Sequence, residues 1–570
     1  MSDKKIHKYK DLNSEMSDSK LILIKNPAIC LIVIGLISLV IRIYYFPYDL
    51  PITRDAADYF WYAIDMSVLG EFPHMFSPYE SSTVIQDVPG YRFSNNGWPA
   101  FLSLFFSLAN LENIQEYMEL QRYLTITISI ITIIPLYLLC RKFFDKYFSL
   151  LGIALFAFQP RVIEESLLGG NISLFVFLGV CTLSLFLSKN TKMIYASFVI
   201  AGLFSIVRFE GLLILIPMTF MFFYRFRFSK TTIIRYAFVI GLFLLIILPM
   251  AYVRTETLGD DGLWHHLYAG PEYILNNITS DVPSDIPIQE TVETYQSGTG
   301  EKLFHFIQTG IQNLSKYFVI SLIPTFSFLV PIGIFLLCRK PDYKHITIII
   351  TLIVFLVPAF YAYSRDIQDI KYFFILFPIF SLVSIFTLRS IIIKSNKSGK
   401  IFIAFLIGFL FFSTCFLVYT APDLDHEREA LSIAKIIKDT TTKVSSHYPE
   451  EQYLIHVNKY GDLEEFPVQS ISIPPPDDFM VTAYDASWSI IIKANSIEDY
   501  IKIAKEEEMT HLVTDGKNAI PEILNDVFYN EKDYPYLIKQ FDSKEDGFKY
   551  HTKVFKINYE IFDAMNEKNN

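Results

Sequence analysis

Two acidic residues and a group of aromatic residues follow the first long apolar segment of the chain, within residues 44–62. Asp55 and Asp58 are three residues apart, so both carboxylates would lie on one side of a helix that begins here. A carboxylate beside aromatic rings at a membrane boundary suits a base that activates a hydroxyl or amide acceptor, and Tyr59 would stack on a sugar face. The alternative interpretation is that Asp55 is an acid favoured in a first helical turn by the helix dipole.

Further charged residues stand at the ends of apolar segments. A charge at bilayer depth costs about 2.5–3.5 kcal/mol, so such residues either anchor a helix at the interface or serve a function. Arginines and lysines grouped on one face of a membrane would bind a lipid phosphate or pyrophosphate. The residues are Arg161, Glu164, Glu165, Arg208, Glu210, Arg365 and Lys371.

The composition assigns the chain to the membrane proteins. Hydrophobic residues make up 52% and charged residues 19% of the 570 residues, against about a quarter charged in soluble domains. Residues 421–570 hold 29 acidic and 16 basic residues while the whole chain carries −10, so the remainder is about +3. Nothing in this balance indicates a nucleic-acid partner. The five cysteines all fall in or beside apolar segments, which predicts buried small hydrophobes without disulfides.

Apolar runs of bilayer-spanning length predict about eleven transmembrane helices. The connections in which lysine and arginine accumulate then all lie on one side, which places the N-terminus inside and the C-terminus outside. Residues 1–20 are predicted to be a cytoplasmic arm and 21–420 the transmembrane domain. The predicted spans are 22–46, 119–140, 147–160, 171–188, 192–207, 211–224, 232–253, 312–337, 345–363, 371–393 and 401–420.

The segments between and after these spans complete the predicted organisation. A first outer loop covers 47–118, and its apolar stretch 98–109 is too short for a span and predicts an interfacial helix. A second long outer loop covers 254–311. Residues 421–570 alternate between helical and strand patterns, which predicts an extracytoplasmic α/β domain. The fold class is therefore an α-helical polytopic membrane protein with a C-terminal soluble α/β domain.

This layout resembles the GT-C superfamily of polyprenyl-phosphate-dependent glycosyltransferases, which includes protein O-mannosyltransferases, aminoarabinose transferases and the oligosaccharyltransferase catalytic subunit. Members have a long outer loop after helix 1 with an acidic residue just past the membrane, and many end in an extracytoplasmic domain. The segments that carry the resemblance are Arg54-Asp55-Ala56-Ala57-Asp58-Tyr59, Tyr91-Arg92-Phe93-Ser94-Asn95-Asn96-Gly97-Trp98-Pro99, Arg208-Phe209-Glu210-Gly211 and Lys371-Tyr372 followed by Phe377-Pro378.

The resemblance implies a role for each candidate residue. Asp55 would be the general base, with Asp58 in support, and Lys371, Arg365 and Arg161 would bind the phosphate of the donor lipid. The residues implied in substrate binding are Tyr59, Tyr91, Trp98, Glu164, Glu165, Arg208 and Glu210. The implied partners are a polyprenyl- or dolichyl-phosphate-linked sugar donor, a protein, lipid or glycan acceptor, and the bilayer.

The sequence departs from the oligosaccharyltransferase pattern in two places. Gly170-Asn171-Ile172-Ser173 replaces the acidic metal-binding motif of the second outer loop, and the tail has no Trp-Trp-Asp motif. We therefore expect transfer of a single sugar without a metal, so that Mg²⁺ or Mn²⁺ is disfavoured and no other cofactor is implied. An oligosaccharyltransferase-like enzyme, a multi-span transporter or flippase, and a non-catalytic membrane scaffold remain alternatives. The protein is expected in the cell membrane of a prokaryote or in the endoplasmic reticulum membrane of a eukaryote. The active site and the C-terminal domain are expected on the extracytoplasmic side of that membrane.

Overall fold

The structure is a computed structural model, and it divides into two compact units. It describes residues 26–48, 50, 52, 55–69, 96–109, 114–258, 261, 299–323, 325–339, 341–367, 369–394, 494, 496–506, 511–514, 523–549 and 551–569, with a few helical positions between 408 and 436. The first unit comprises Met1–Phe46, Phe93–Phe101 and Gln121–Ala421, and the second comprises Pro47–Arg92, Leu102–Leu120 and Pro422–Asn570. The predicted arm 1–20, most of the predicted span 401–420 and most of residues 421–493 lie outside the described residues.

The described chain up to Lys394 is helical, as its apolar runs predict. The helices are α1 (Pro27–Tyr44), α2 (Asp55–Leu69), α3 (Gly97–Leu108), α4 (Ile114–Ile131), α5 (Ile133–Cys140), α6 (Lys146–Ala157), α7 (Pro160–Leu167), α8 (Ile172–Phe186), α9 (Thr191–Val207), α10 (Leu215–Phe226), α11 (Lys230–Leu258), α12 (Thr299–Leu322), α13 (Leu329–Arg339), α14 (Tyr343–Ser364) and α15 (Phe377–Lys394). Short 3₁₀ helices, Phe209–Ile214 and Ile370–Leu376, precede α10 and α15.

Short polar side chains set where several of these helices begin. Asn26 accepts the Ala28 amide at 3.0 Å at the start of α1. Asp145 accepts the Phe148 amide at 3.1 Å before α6. Asparagine and aspartate at this position satisfy amides that have no partner within the helix. The polar residues between the apolar runs therefore define the helix starts as well as separating the runs.

Six helical stretches within the described residues, three of which join two successive elements, are long and apolar enough to cross a membrane by length and composition. They are Pro27–Tyr44, Glu116–Cys140, Phe209–Phe226, Lys230–Glu256, Tyr343–Ser364 and Ile370–Ile392, and five shorter apolar helices accompany them. The protein is thus an integral membrane protein with many helices, while the number eleven and the orientation stay predictions. Helix α3 lies where the sequence predicts an interfacial helix, at 98–109.

The helices differ from the predicted spans at two places. The predicted span 312–337 is two helices, because α12 ends at Leu322 and α13 begins at Leu329. Pro324 stands between them in the sequence, and proline cannot supply the amide that a continuous helix needs. Helices α11 and α12 also extend into the predicted outer loop 254–311 from both ends, while 262–298 lies outside the described residues.

The C-terminal segment forms a small antiparallel sheet with helices. Its elements are α16 (Ile497–Glu506), β1 (His511–Thr514), α17 (Leu524–Tyr529), β2 (Leu537–Asp542), β3 (Lys553–Ile557) and α18 (Tyr559–Asn569). The strand order is β1-β3-β2, with His511 opposite Lys556 and Leu537 opposite Ile557. Apolar side chains from the helices and strands, including Ile501 and Phe555, form its buried core.

The predicted and observed elements of this segment agree in part. The structure has helices near the predicted 496–508 and 521–528 and strands near 511–515 and 550–559. The Ser496 hydroxyl accepts the Asp499 amide at 3.1 Å, as the predicted helix start requires. Strand β2 and helix α18 were not predicted, and the predicted strand 452–457 lies outside the described residues.

A buried carboxylate joins β2 to the turn before β3. Asp542 accepts the Lys544 amide at 3.1 Å and lies 2.8 Å from Nε2 of His551. Burial by itself raises the pKa of Asp542. The Lys544 amide, His551 and Lys539 together outweigh that effect and hold this pKa below its ordinary value. A carboxyl group whose pKa is lowered on folding stabilises the fold in its ionised form.

Helix α1 carries a fully buried arginine that binds only neutral oxygens. Arg42 donates from Nε to the Ser166 hydroxyl at 2.9 Å and from Nη2 to the Ser129 hydroxyl at 3.1 Å. Its Nη1 donates to the Ala157 carbonyl at 3.3 Å and to the Ser38 hydroxyl. These acceptors lie on α7, α4, α6 and α1, so one guanidinium joins four helices. The planar fork of donors is what permits this, since a lysine ammonium is a point donor.

We expect Arg42→Lys to destabilise the membrane unit by about 2–5 kcal/mol, because hydrogen bonds to a charged donor would be lost at buried acceptors. Arg42→Met should cost less than Arg42→Lys. It removes the buried charge, and Ser166 and Ser38 keep their bonds to backbone carbonyls at 2.7 and 3.2 Å. Reversible SDS unfolding in mixed micelles measures both variants. The control is Arg235→Lys at an exposed position of α11, and a lysine variant as stable as this control would contradict the expectation.

We expect the C-terminal sheet to lose stability on acidification through Asp542. Since its pKa is lower in the folded state, its stabilisation is present above the ordinary aspartate pKa of about 3.9 and disappears as the pH falls below that value. Asp542→Asn should reduce stability at neutral pH by about 1–3 kcal/mol and weaken the dependence on pH. Hydrogen exchange of the β2 and β3 amides in the full chain, corrected for intrinsic rates, measures this. Exposed Asp546→Asn is the control and should match the wild type.

Candidate functional site

An arginine and a glutamate form a buried ion pair where α9 ends. Arg208 is extended after Val207, and Glu210 follows in the 3₁₀ turn. Nη2 of Arg208 lies 2.6 Å from Oε1 of Glu210, and Nε lies 3.2 Å from Oε2. Arg208 and Glu210 are 8% and 6% exposed. Two parallel N–H···O bonds fix both side chains in one geometry. The sequence-predicted pair Arg208 and Glu210 is therefore a rigid unit.

The glycine that follows this pair is required by close packing. A Cβ added at Gly211 would lie 2.8 Å from the Phe204 carbonyl oxygen and 2.8 Å from the Ser205 Cα. These are backbone atoms of α9, which cannot move aside as the end of a flexible side chain would. The order Arg-x-Glu-Gly thus has a steric reason, since only glycine lets the turn fold back on the last turn of α9.

Asn171 is a third member of this site, and its role was not predicted. Its Oδ1 accepts Nη1 of Arg208 at 3.3 Å, and the ring of Phe175 lies 5.7 Å from the guanidinium carbon. Asn171 precedes the apolar helix α8. In the sequence, Asn171 was noted only because Gly170-Asn171-Ile172-Ser173 replaces the acidic motif of the oligosaccharyltransferase pattern. A polar residue directly before an apolar helix was the available signal for a buried contact.

Lys371 and Tyr372 extend the site from the 3₁₀ turn before α15. Asp369 accepts the Lys371 amide at 2.8 Å, and its other oxygen lies 3.3 Å from the Lys371 ammonium. The Tyr363 hydroxyl donates to the Asp369 carbonyl at 2.8 Å. Tyr372 lies within electrostatic range of Lys371, Arg208 and Glu210. The structure therefore brings these three predicted residues to one region of the first unit.

The second predicted group of charges stands on α7. Nη1 of Arg161 lies 3.3 Å from Oε2 of Glu164, one helical turn away, and both side chains are partly exposed. Such an exposed pair contributes little to stability. Glu165 instead lines a cavity of about 20 Å³ together with Ser129 and Ser173, which has room for about one water molecule.

Trp98 fixes the loop that follows α7. Its indole is fully buried, and Nε1 donates to the Gly169 carbonyl at 3.2 Å. The Gln121 side-chain amide donates to the same carbonyl at 2.7 Å. Fully buried Arg254 donates at 3.1 Å to Asn96, two residues before Trp98 in the sequence. Neither Arg254 nor Asn96 was predicted as a site residue. Trp98 thus acts on the position of residues 168–171.

The remaining predicted residues have other surroundings. Arg365 is exposed, with its guanidinium carbon 5.7 Å from the Tyr361 ring. In the second unit, Asp55 is exposed and is the first residue of α2, while Tyr59 is buried. The Asp58 side chain and Tyr91 lie outside the described residues. Helix α2 begins at Asp55, as the sequence predicted.

A divalent metal would need several carboxylate, imidazole or thiolate side chains that converge on one point. Among the described residues, no group of three or more His, Cys, Asp or Glu side chains converges. At the position where the oligosaccharyltransferase pattern has acids, the Asn171 amide oxygen faces the Arg208 cation at 3.3 Å. A fixed cation at that distance disfavours a second cation. The residues described at this position therefore do not fit a divalent metal.

We expect Gly211→Ala to destabilise the first unit by about 1–3 kcal/mol, because a methyl group would overlap backbone atoms of α9. Gly241→Ala is the matched control. It changes a glycine within α11 that has open space around it, and alanine favours a helix over glycine. Thermal unfolding in detergent measures both. Equal melting temperatures for the two variants would contradict the steric account of the turn.

The comparison with known proteins gives structural neighbours only. No protein-family profile and no curated protein sequence matches this chain. The archaeal oligosaccharyltransferase of Archaeoglobus fulgidus in its apo form is similar at a TM-score of 0.51 and 13% identity, over 88% of this chain and 70% of that one. Its complex with Zn and sulfate is similar at 0.49 and 15%, over 78% of this chain, which there spans 59% of the neighbour's length.

A second protein is similar at a lower score. ArnT from Cupriavidus metallidurans bound to undecaprenyl phosphate aligns at a TM-score of 0.43 and 11% identity, over 75% of this chain and 74% of that one. The fold assignment therefore rests on the apo oligosaccharyltransferase. This chain has the fold of that enzyme, and the resemblance to the GT-C glycosyltransferases predicted from the sequence is confirmed at the level of the fold.

Proposed function

We propose that this protein is a membrane glycosyltransferase that moves a sugar from a polyprenyl-phosphate-linked donor to a protein, lipid or glycan acceptor. The observation that carries the proposal is the similarity of fold to the archaeal oligosaccharyltransferase, combined with the buried Arg208–Glu210 pair near Lys371. The reaction would take place on the outer face of the membrane, where the sequence places these residues.

The donor phosphate is proposed to bind at Lys371. Its ammonium has a carboxylate contact with Asp369 on a partly exposed surface, so an entering phosphate can be bound by the same cation. Arg208 and Glu210 are buried, so we propose that their paired charges act on this region electrostatically and do not contact the substrate themselves. Arg161 and Arg365 are the other cations proposed for the lipid phosphate. Positive charge here stabilises the phosphate as it departs from the sugar.

Asp55 is proposed as the general base. The acceptor O–H or N–H attacks the anomeric carbon, the bond from that carbon to the phosphate oxygen breaks, and the acceptor proton passes to the carboxylate. Asp55 is exposed at the start of α2, which is compatible with contact to a substrate. Asp58 supports it. We propose that Tyr59 and Tyr91 shape the sugar site and that Glu164 and Glu165 bind substrate.

The proposed role of Trp98 is indirect. A fully buried indole presents no face to a sugar, and its Nε1 already donates to Gly169. Trp98 is therefore proposed to position residues 168–171 after α7, next to the proposed donor site. The proposed transfer needs no divalent metal, because the pattern's acidic position is occupied by Asn171 in contact with Arg208.

A second candidate is transfer of a whole oligosaccharide, and the fold of the apo neighbour favours it. The two candidates differ in the donor. Purified protein supplied in parallel with polyprenyl-phosphate monosaccharides and with lipid-linked oligosaccharides separates them. No transfer from either donor class by the wild type would favour a transporter, a flippase or a scaffold.

We expect Asp55→Asn to reduce kcat by about 10²–10⁴-fold, the contribution of a general base. Lys371→Gln should raise the donor KM, because the phosphate loses a charge-assisted bond. Labelled transfer in detergent with chelator present measures both. The control Asp533→Asn changes an exposed aspartate of the C-terminal segment and should leave the rate unchanged. Unaltered transfer by Asp55→Asn would remove Asp55 from the mechanism.

A further inference from the structure

Two cations lie over the ring of Tyr343, and a third basic residue, Lys142, adjoins one of them through its backbone. The guanidinium carbon of Arg225 lies 5.3 Å from the centre of the Tyr343 ring, and the Lys344 ammonium lies 5.9 Å from it. The Lys344 ammonium also donates to the Lys142 carbonyl at 2.8 Å. We call Lys142, Arg225, Tyr343 and Lys344 the Tyr343 cluster. It joins the α5–α6 connection, the end of α10 and the start of α14.

The Tyr343 cluster has an excess of positive charge. Among the described residues, no carboxylate forms an ion pair with Lys142, Arg225 or Lys344. The nearest acid in sequence, Asp342, accepts the Lys344 and His345 amides at 2.9 and 3.0 Å and contacts the His345 ring. Its carboxylate therefore caps α14. Partial burial, together with the like charge of Lys344, lowers the pKa of Lys142 below its ordinary value.

The hydrogen bonds that orient Arg225 leave its positive charge available to a ligand. Arg225 is held by the Phe186 and Ser188 carbonyls at 3.3 and 2.7 Å. These neutral acceptors orient the guanidinium without cancelling its charge. All four members are half-buried in the protein alone. Like charges are kept close by the fold, and an anion between them would relieve the repulsion.

Two aromatic side chains next to the cluster point to a lipid as the source of that anion. Tyr224 is 58% and Phe228 79% exposed, on either side of Arg225. Exposed aromatic residues at the end of an apolar helix are typical of the level of lipid head groups. Basic pockets between transmembrane helices bind anionic head groups there.

We propose that the Tyr343 cluster is a binding site for the phosphate of an anionic phospholipid head group, distinct from the donor-lipid site. The ligand phosphate would contact the ammonium groups of Lys142 and Lys344 and the guanidinium of Arg225, while its acyl chains lie along the apolar helices. The site adds a lipid requirement to the protein that does not depend on its catalytic activity.

Native mass spectrometry of the purified full chain tests the proposal by titration with phosphatidylglycerol, phosphatidylcholine and soluble glycerol phosphate. The wild type should retain phosphatidylglycerol at least tenfold more tightly than phosphatidylcholine. Lys142→Gln with Lys344→Gln should weaken phosphatidylglycerol binding by at least about tenfold, as expected for two basic residues near the membrane surface. Tight binding of glycerol phosphate by the wild type would instead show a site for a soluble anion and overturn the lipid assignment.

Two further variants keep the test decisive. Lys142→Arg with Lys344→Arg preserves the charge and should bind phosphatidylglycerol within about twofold of the wild type. Lys189→Gln with Lys192→Gln removes two exposed charges at the start of α9, outside the cluster, and should also bind normally. Equal losses in this control and in the glutamine variant of the cluster would overturn the proposal. Melting temperatures establish that each variant is folded.

Discussion

The bidentate contact between Arg208 and Glu210 is the interaction on which the candidate site depends. A buried charge in a helical membrane unit costs several kcal/mol unless other groups compensate it, and here each side chain compensates the other. Each residue therefore makes the other possible. The pair determines where α9 must end, and it requires a glycine at 211 so that the following turn can approach the helix. It also brings α8 into the site through Asn171.

The same constraint is met differently at Arg42, which has oxygens of four helices around it and no carboxylate among its hydrogen bonds. Here the guanidinium charge is stabilised by the dipoles of neutral hydroxyl and carbonyl groups. Arg42 therefore joins the helices without an acidic partner. The contrast separates two uses of arginine in one membrane unit. The paired Arg208 stabilises a local turn that supports a site, whereas the buried Arg42, bonded to neutral oxygens, joins helices that are distant in sequence.

Local features of this chain were predictable, and long-range contacts were not. Apolar run length located most helices, and the sequence pattern Arg-x-Glu-Gly pointed to the turn at Arg208. The partner Asn171 is 37 residues away, and no spacing rule connects a helix start to a later turn. The role of Arg42 within its apolar run was likewise not predictable, because its hydrogen-bond partners are up to 124 residues away. The break near Pro324 was readable from proline alone, but the apolar residues around it outweighed that signal.

The fold buries an N-glycosylation acceptor sequence at Asn171. Asn171-Ile172-Ser173 has the form of an N-glycosylation acceptor, which requires an amide nitrogen that a glycosylating enzyme can reach. The residue is 3% exposed at the entrance of an apolar helix, with its oxygen bonded to Arg208. A glycan attached there would have to displace the helix. In the folded protein this acceptor sequence is hidden, so the chain is protected at Asn171 from the class of modification that its structural neighbour performs.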